Sequence, residues 1–192
     1  MEMIDNRLGP AEWVKAGLKA LAKSGFSTLK ADTLAHRLGV SRGSFYWHFA
    51  DVPAFHAALL RRWREIALEN IIEEVEGTPD DRLEALLHRA FAGGPGIERA
   101  VRAWATADAR ARAAVDAVDM ERIRYLRKLL IDAGIPADAA EARAHIMNWT
   151  YLGFALSSSK LDRDALKEIV RDLSQLARLK PMQLPQVVRS RR

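Results

Sequence analysis

The sequence predicts an all-α protein: an N-terminal three-helix head with a helix-turn-helix, then an antiparallel helical bundle of about six helices. Three observations carry this. Apolar residues recur at steps of three and four almost throughout, and no convincing alternating stretch suggests a strand. Breaks fall where helices end, at Gly25, Gly39, Gly77, Gly93 to Gly96, and Gly134. Finally, Gly39 to Phe49 joins a glycine turn to a short, polar and aromatic helix.

Helix one is expected from about Pro10 to Ser24. Proline is tolerated in a first turn, and Gly25 can take the left-handed conformation that ends a helix. Val14, Leu18 and Leu21 form its stripe, beside Trp13, Gly17 and Ala20. Helix two runs from Lys30 to Leu38 with Leu34, Ala35 and Leu38 on one face. Ser41 is a good N-cap for helix three, while Phe45 and Phe49 should close the head against Leu34, Leu38 and helix one. Asp51 caps helix four, which accepts Pro53 in its first turn and continues to about Val75, linking head to body. A short helix follows from Asp80 to Phe91, and Ile97, Val101 and Trp104 mark the next. A long helix spans Ala109 to Ala133, and two more occupy Ala137 to Ser158 and Asp162 to Leu179. The expected division is a head over 1–50, a body over 51–180 and a flexible tail over 181–192.

Helix three concentrates hydroxyls, a cation, a phenol, an indole and an imidazole in barely two turns, an inventory suited to base edges and phosphate oxygens. Arg42 is the best base reader, since its guanidinium can pair bidentately with guanine. Ser41 caps the helix and can touch a phosphate; Gly43 and Ser44 keep the face low enough for close approach. Tyr46, Trp47 and His48 should follow the groove rim, and Lys30 a phosphate. Internal packing of Trp47 and capping of helix three by His48 are the alternatives. The head is basic: seven Lys or Arg (Arg7, Lys15, Lys19, Lys23, Lys30, Arg37, Arg42) face four acids (Glu2, Asp5, Glu12, Asp32).

From about Trp13 to Phe55 the chain resembles the DNA-binding head of the TetR family of bacterial transcriptional regulators. The resemblance rests on Gly25, Leu34-Ala35, Gly39-Val40-Ser41 and the run Gly43-Ser44-Phe45-Tyr46-Trp47-His48-Phe49. It departs from the family at Val52, where a Lys or Arg usually touches a phosphate. The resemblance implies a dimer that reads palindromic double-stranded DNA, with two short helices set about one turn of DNA apart or a multiple of it. It also implies that the last two helices pair with their copies. Ala142, Ile146, Trp149, Gly153 and Leu156 on one helix, and Leu166, Ile169 and Leu173 on the other, are the expected interface. A monomeric core would use the same stripes.

Such bodies hold a small-molecule pocket, and binding there shifts the heads out of register with DNA. Trp63, His88, Trp104, Arg122, Tyr125, Asn148 and Tyr151 lie on otherwise apolar faces and are the candidate lining for a small apolar or amphipathic effector. His145 shares that setting. Arg122 is an odd cation in register with Val118, Tyr125 and Leu129; a ligand carboxylate would explain it, as would the simpler ion pair with Asp108 or Asp119. Asp108 can equally cap the long helix.

Catalysis is not indicated: the histidines are scattered, no His-Glu-x-x-His or nucleophile motif is present, and Gly93 to Gly96 lacks the Gly-Lys-Ser/Thr of a phosphate cradle. With no cysteine, disulfides, thiolate chemistry and Cys-ligated zinc are excluded; no metal or cofactor is expected. No signal-like or membrane-spanning run is visible, so a soluble cytoplasmic protein without membrane contact is expected. The expected function is a transcriptional regulator, most simply a repressor released by an effector. A ligand-independent regulator and a non-specific nucleoid-type DNA-binding protein are the alternatives.

Overall fold

The computed structural model describes residues 8–79, 81–94, 96–158 and 161–179. Every regular element among them is helical. The head comprises α1 (Pro10–Ser24), a short 3-10 turn (Phe26–Thr28), α2 (Ala31–Leu38) and α3 (Arg42–His48). From it runs α4 (Val52–Arg64), continuous through a π-helical turn (Glu65–Glu69) into α5 (Asn70–Glu76). The body adds α6 (Arg82–Ala92), α7 (Gly96–Ala105), α8 (Ala109–Asp132), α9 (Ala137–Leu156) and α10 (Arg163–Arg178). The expected tail at 181–192 lies outside the described residues.

Local chemistry explains most boundaries. The Asp51 carboxylate accepts from Ala54 N–H at 2.7 Å, and Asp108 accepts from Arg110 and Ala111 at 2.8 and 3.1 Å. Asp81 and Asp162 cap α6 and α10 in the same way, each satisfying amides that the helix itself leaves unpaired. Gly39 ends α2 in the left-handed region at φ 68° and ψ 29°, and Val40 N–H then reaches Ala35 O at 3.1 Å. Two expectations need correcting. Gly25 has φ 78° but an extended ψ of 178°, a conformation open to glycine rather than the left-handed helical one. Ser41 occupies the N-cap position of α3, yet its hydroxyl makes no capping bond; only its carbonyl engages, accepting from Ser44 N–H at 3.1 Å.

Packing does not break at residue 50. One core unites the head with α4, α7 and the start of α8 through Trp13, Leu34, Phe45, Phe55, Trp63, Val101 and Val118. Phe26 stacks on Trp104 at 5.0 Å, with His56 edge-on to both, so head, α4 and α7 meet in one aromatic contact. A second core joins α5, α6, the end of α8, α9 and α10 around Leu83, Leu87, Leu130, Ala144 and Val170. The helix from Val52 to Glu76 touches both cores, so a displacement in the body has a mechanical route to the head.

Candidate DNA-contact face and effector cavity

Helix α3 presents two unlike sides. Phe45 is wholly buried and meets Trp13, Phe49 and Phe55 at centroid distances of 5.3 to 5.4 Å, as the sequence predicts for a core residue. Anchored by that side chain, the helix turns Arg42, Gly43, Tyr46 and Trp47 outward. Trp47 is 88% exposed, which removes its internal-packing alternative. Ser41 and Lys30 are exposed, and Ser44 and His48 half-buried. A Cβ built on Gly43 would meet only Ser41 Oγ, at 3.7 Å, so nothing in the protein's own packing demands glycine there.

Arg42 is held ready rather than free. Its Nη2 donates to Tyr46 Oη at 3.3 Å, and its Nε pairs with Asp32 at 3.2 Å. The Tyr46 hydrogen bond, then the Asp32 charge, push the guanidinium further into its protonated range. Both partners are exposed, so the contact is screened and easily exchanged for another acceptor. Asp32 was not singled out by sequence, although an acid opening α2 beside the turn was visible. Val52 is half-buried against the head core, so packing occupies the position where the family places a phosphate-binding cation.

In the body, a narrow cavity of about 60 Å³ lies among the π-helical turn, α5, α6, α8 and α9. Ala67, Leu68, Ile71, Phe91 and Met147 form much of its apolar wall. Four expected residues, Arg122, Tyr125, Asn148 and Tyr151, converge on it. The other three do not. Trp63 and Trp104 are buried in the first core, aromatic bulk at helical spacing serving packing, and His88 sits on the surface 3.5 Å from Glu84. His145 is likewise outside, beside Glu141 and Trp149.

The principal partner of Arg122 is Glu98, a residue the sequence reading passed over. Arg122 donates to both Glu98 oxygens, at 3.0 and 2.9 Å, and to the Ala67 carbonyl in the π-helical turn at 3.2 Å. Its guanidinium carbon lies 4.9 Å from the Tyr151 ring centre. Asp119 is a weaker partner at 3.6 Å, while Asp108 caps α8 instead. Arg102 completes the cluster, bonding Glu98 at 2.7 Å and Asp119 at 2.6 Å. Burial works against a charged Glu98, which is 2% exposed, but Arg122 and Arg102 together hold its carboxyl below the ordinary range. Burial disfavours charge on Arg122 as well, and Glu98 overcomes this, keeping the guanidinium protonated. Tyr125 contributes its ring, its hydroxyl already donating to Glu76 at 3.0 Å. Burial, then that bond, push its phenol well above the ordinary value.

One face of α9 exposes Ala142, Ile146, Trp149, Gly153 and Leu156, with Trp149 63% accessible. On α10, Ile169 and Leu176 are exposed beyond it, whereas Leu166 and Leu173 pack half-buried against the second core with Val170 and Ala177. Apolar area of this kind on adjoining helices is typical of a protein contact surface. No described helix is long and apolar enough to cross a membrane.

Residues 14–51 match the sequence profile of the bacterial regulatory proteins of the tetR family. Solved structures share the fold over nearly the whole chain. A transcriptional regulator from Rhodococcus sp. Rha1 is 23% identical, covering 91% of this chain and 100% of its own, at a TM-score of 0.69. The fatty acid degradation regulator FadR from Bacillus halodurans is 14% identical, covering 92% and 96%, at 0.64. A TetR-family member from Streptomyces coelicolor A3 is 20% identical, covering 84% and 95%, at 0.59. Comparison with curated proteins gave no match.

Proposed function

We propose, from the match of residues 14–51 to the profile of the tetR family of bacterial regulatory proteins, that this chain is a homodimeric repressor released from a palindromic operator by a small molecule. The outward face of α3 carries the reading: Arg42, Tyr46 and Trp47 stand exposed around a glycine that the fold itself does not require. Arg42 exchanges Asp32 and Tyr46 for guanine O6 and N7, while Gly43 lets the helix sit deep in the major groove. Tyr46, Trp47 and His48 meet the backbone and groove rim, with Ser41 and Lys30 on phosphates. Two copies joined through the exposed faces of α9 and α10 set the spacing of the heads.

Release follows from the position of the cavity. Its wall includes Ala67 and Leu68, in the π-helical turn of the helix that leaves the head. A ligand that fits best when this turn shifts favours a head spacing that DNA disfavours, and the two binding events oppose each other by linkage. π-Helical turns are weakly determined locally and recur at functional sites, which suits this one to the role.

The direct test is Arg42→Ala on an operator and on random DNA, measured by fluorescence anisotropy. Loss of a bidentate guanine contact is expected to cost ~1–3 kcal/mol per half-site on the operator and much less on random DNA. Equal losses on both would reduce Arg42 to a backbone contact and favour a non-specific DNA-binding protein.

A further inference from the structure

We infer, on the reading of the body cavity as an effector site, that its ligand is an uncharged, compact ring molecule with one hydrogen-bonding group, which Asn148 reads. Arg122 is the only charged side chain in the cavity wall among the described residues, and it is already neutralised. Glu98 engages it through both oxygens, and Arg102 and Asp119 complete a cluster of two cations and two anions. An anionic ligand would have to displace Glu98, stranding a carboxylate that is 2% exposed. A cationic ligand would find no uncompensated anion in the wall. Either ion would enter as an unpaired fifth charge, which an apolar cavity strongly disfavours.

Asn148 supplies the polar contact. The residue is 3% exposed and lines the cavity; its amide makes no hydrogen bond within the protein among the described residues, yet it is not one of the sealed polar groups left unpaired. The amide therefore opens onto the cavity, where a ligand group can complete it. An amide offers both a donor and an acceptor, and therefore suits a carbonyl, hydroxyl or carboxamide. Tyr151 lines the same cavity, and burial pushes its phenol up, so it remains a neutral donor. Elsewhere the wall is aliphatic or aromatic, and the volume of about 60 Å³ is well under the ~150 Å³ that holds a benzene ring, so a one-ring ligand enters only as the π-helical turn shifts, and nothing larger is accommodated.

Three molecules of nearly one shape separate the charge states: benzamide, benzoate and benzamidinium, with toluene as the apolar reference. Calorimetric titration of the full chain at neutral pH is expected to give benzamide at least a tenfold tighter Kd than either ion, and about tenfold tighter than toluene. Asn148→Leu should abolish the advantage over toluene while toluene still binds. Asn148→Asp should turn the preference towards benzamidinium. Tighter binding of benzoate or benzamidinium by the natural chain would overturn the inference, as would an undiminished benzamide preference in Asn148→Leu. Failure of all four probes to bind would instead overturn the reading of the cavity as a ligand site, and this inference with it.

Discussion

Glu98→Gln tests the buried charge cluster on which the body depends. The substitution keeps shape and one acceptor but removes the negative charge that both Arg122 and Arg102 contact. With Glu98 2% exposed, water cannot replace it, and Asp119 is left alone to balance two guanidiniums. Breaking one member of a buried ion pair costs about 3–5 kcal/mol, which for a chain of this size is roughly 6–20 °C in Tm. Protein concentration must be held fixed, since association contributes to the measured stability. The pH dependence has a definite sign. Against the burial that opposes its charge, Arg122 and Arg102 lower the folded-state pKa of Glu98, so its contribution is complete above the unfolded carboxylate pKa and is lost as pH falls through the folded one. The gap between natural chain and variant should therefore be full at pH 7 and close in acid. Adding Arg122→Gln removes the stranded cation, and the double variant should be less destabilised than the sum of the two single ones. A loss below about 1 kcal/mol at pH 7, or strict additivity, would refute the reasoning.

Gly17→Ala should lower Tm by several degrees, because a Cβ there would lie 2.6 Å from Phe55 Cζ and 2.8 Å from Leu59 Cδ2, both fully buried. Overpacking costs ~1–3 kcal/mol, more than the helix propensity alanine recovers, so a rise in Tm in thermal melts would contradict it. Val52→Lys should steepen the salt dependence of operator binding by about one unit of slope per protomer through an added phosphate contact, at some cost in head packing; an unchanged slope rejects it. Trp149→Glu, on the exposed face of α9, should shift the molecule to monomer in sedimentation and weaken operator binding with it, whereas an intact dimer would move the interface elsewhere.

Most of the fold was legible because its signals are local. The aspartate caps at Asp51 and Asp108, the turn at Gly39 and the inward Phe45 each follow from one or two neighbouring residues. What was not legible depends on residues brought together by folding. Glu98 lies 24 positions from Arg122, so only the three-dimensional arrangement reveals their pairing; the Glu98–Arg102 spacing on α7 was the one available hint. Trp63 and Trp104 looked like pocket aromatics, but their register places them in the core that joins head to body. The π-helical turn adds one residue and so shifts the apolar phase by about 100°, a skip that a single unbroken helix over Val52 to Val75 passes over. On α10 the apolar stripe is broad enough for two surfaces, and periodicity could not say that Leu166 and Leu173 serve the molecule's own core while Ile169 and Leu176 face outward.

The central claim is that this chain reads a specific DNA sequence as a dimer. The most direct measurement is binding of the purified protein to the DNA upstream of its own gene, titrated across salt with random DNA as competitor. Saturable binding that survives the competitor, at two protomers per palindrome, is the expected result. Binding no tighter than to random DNA at every salt concentration, across that region and a library of palindromes, would contradict it.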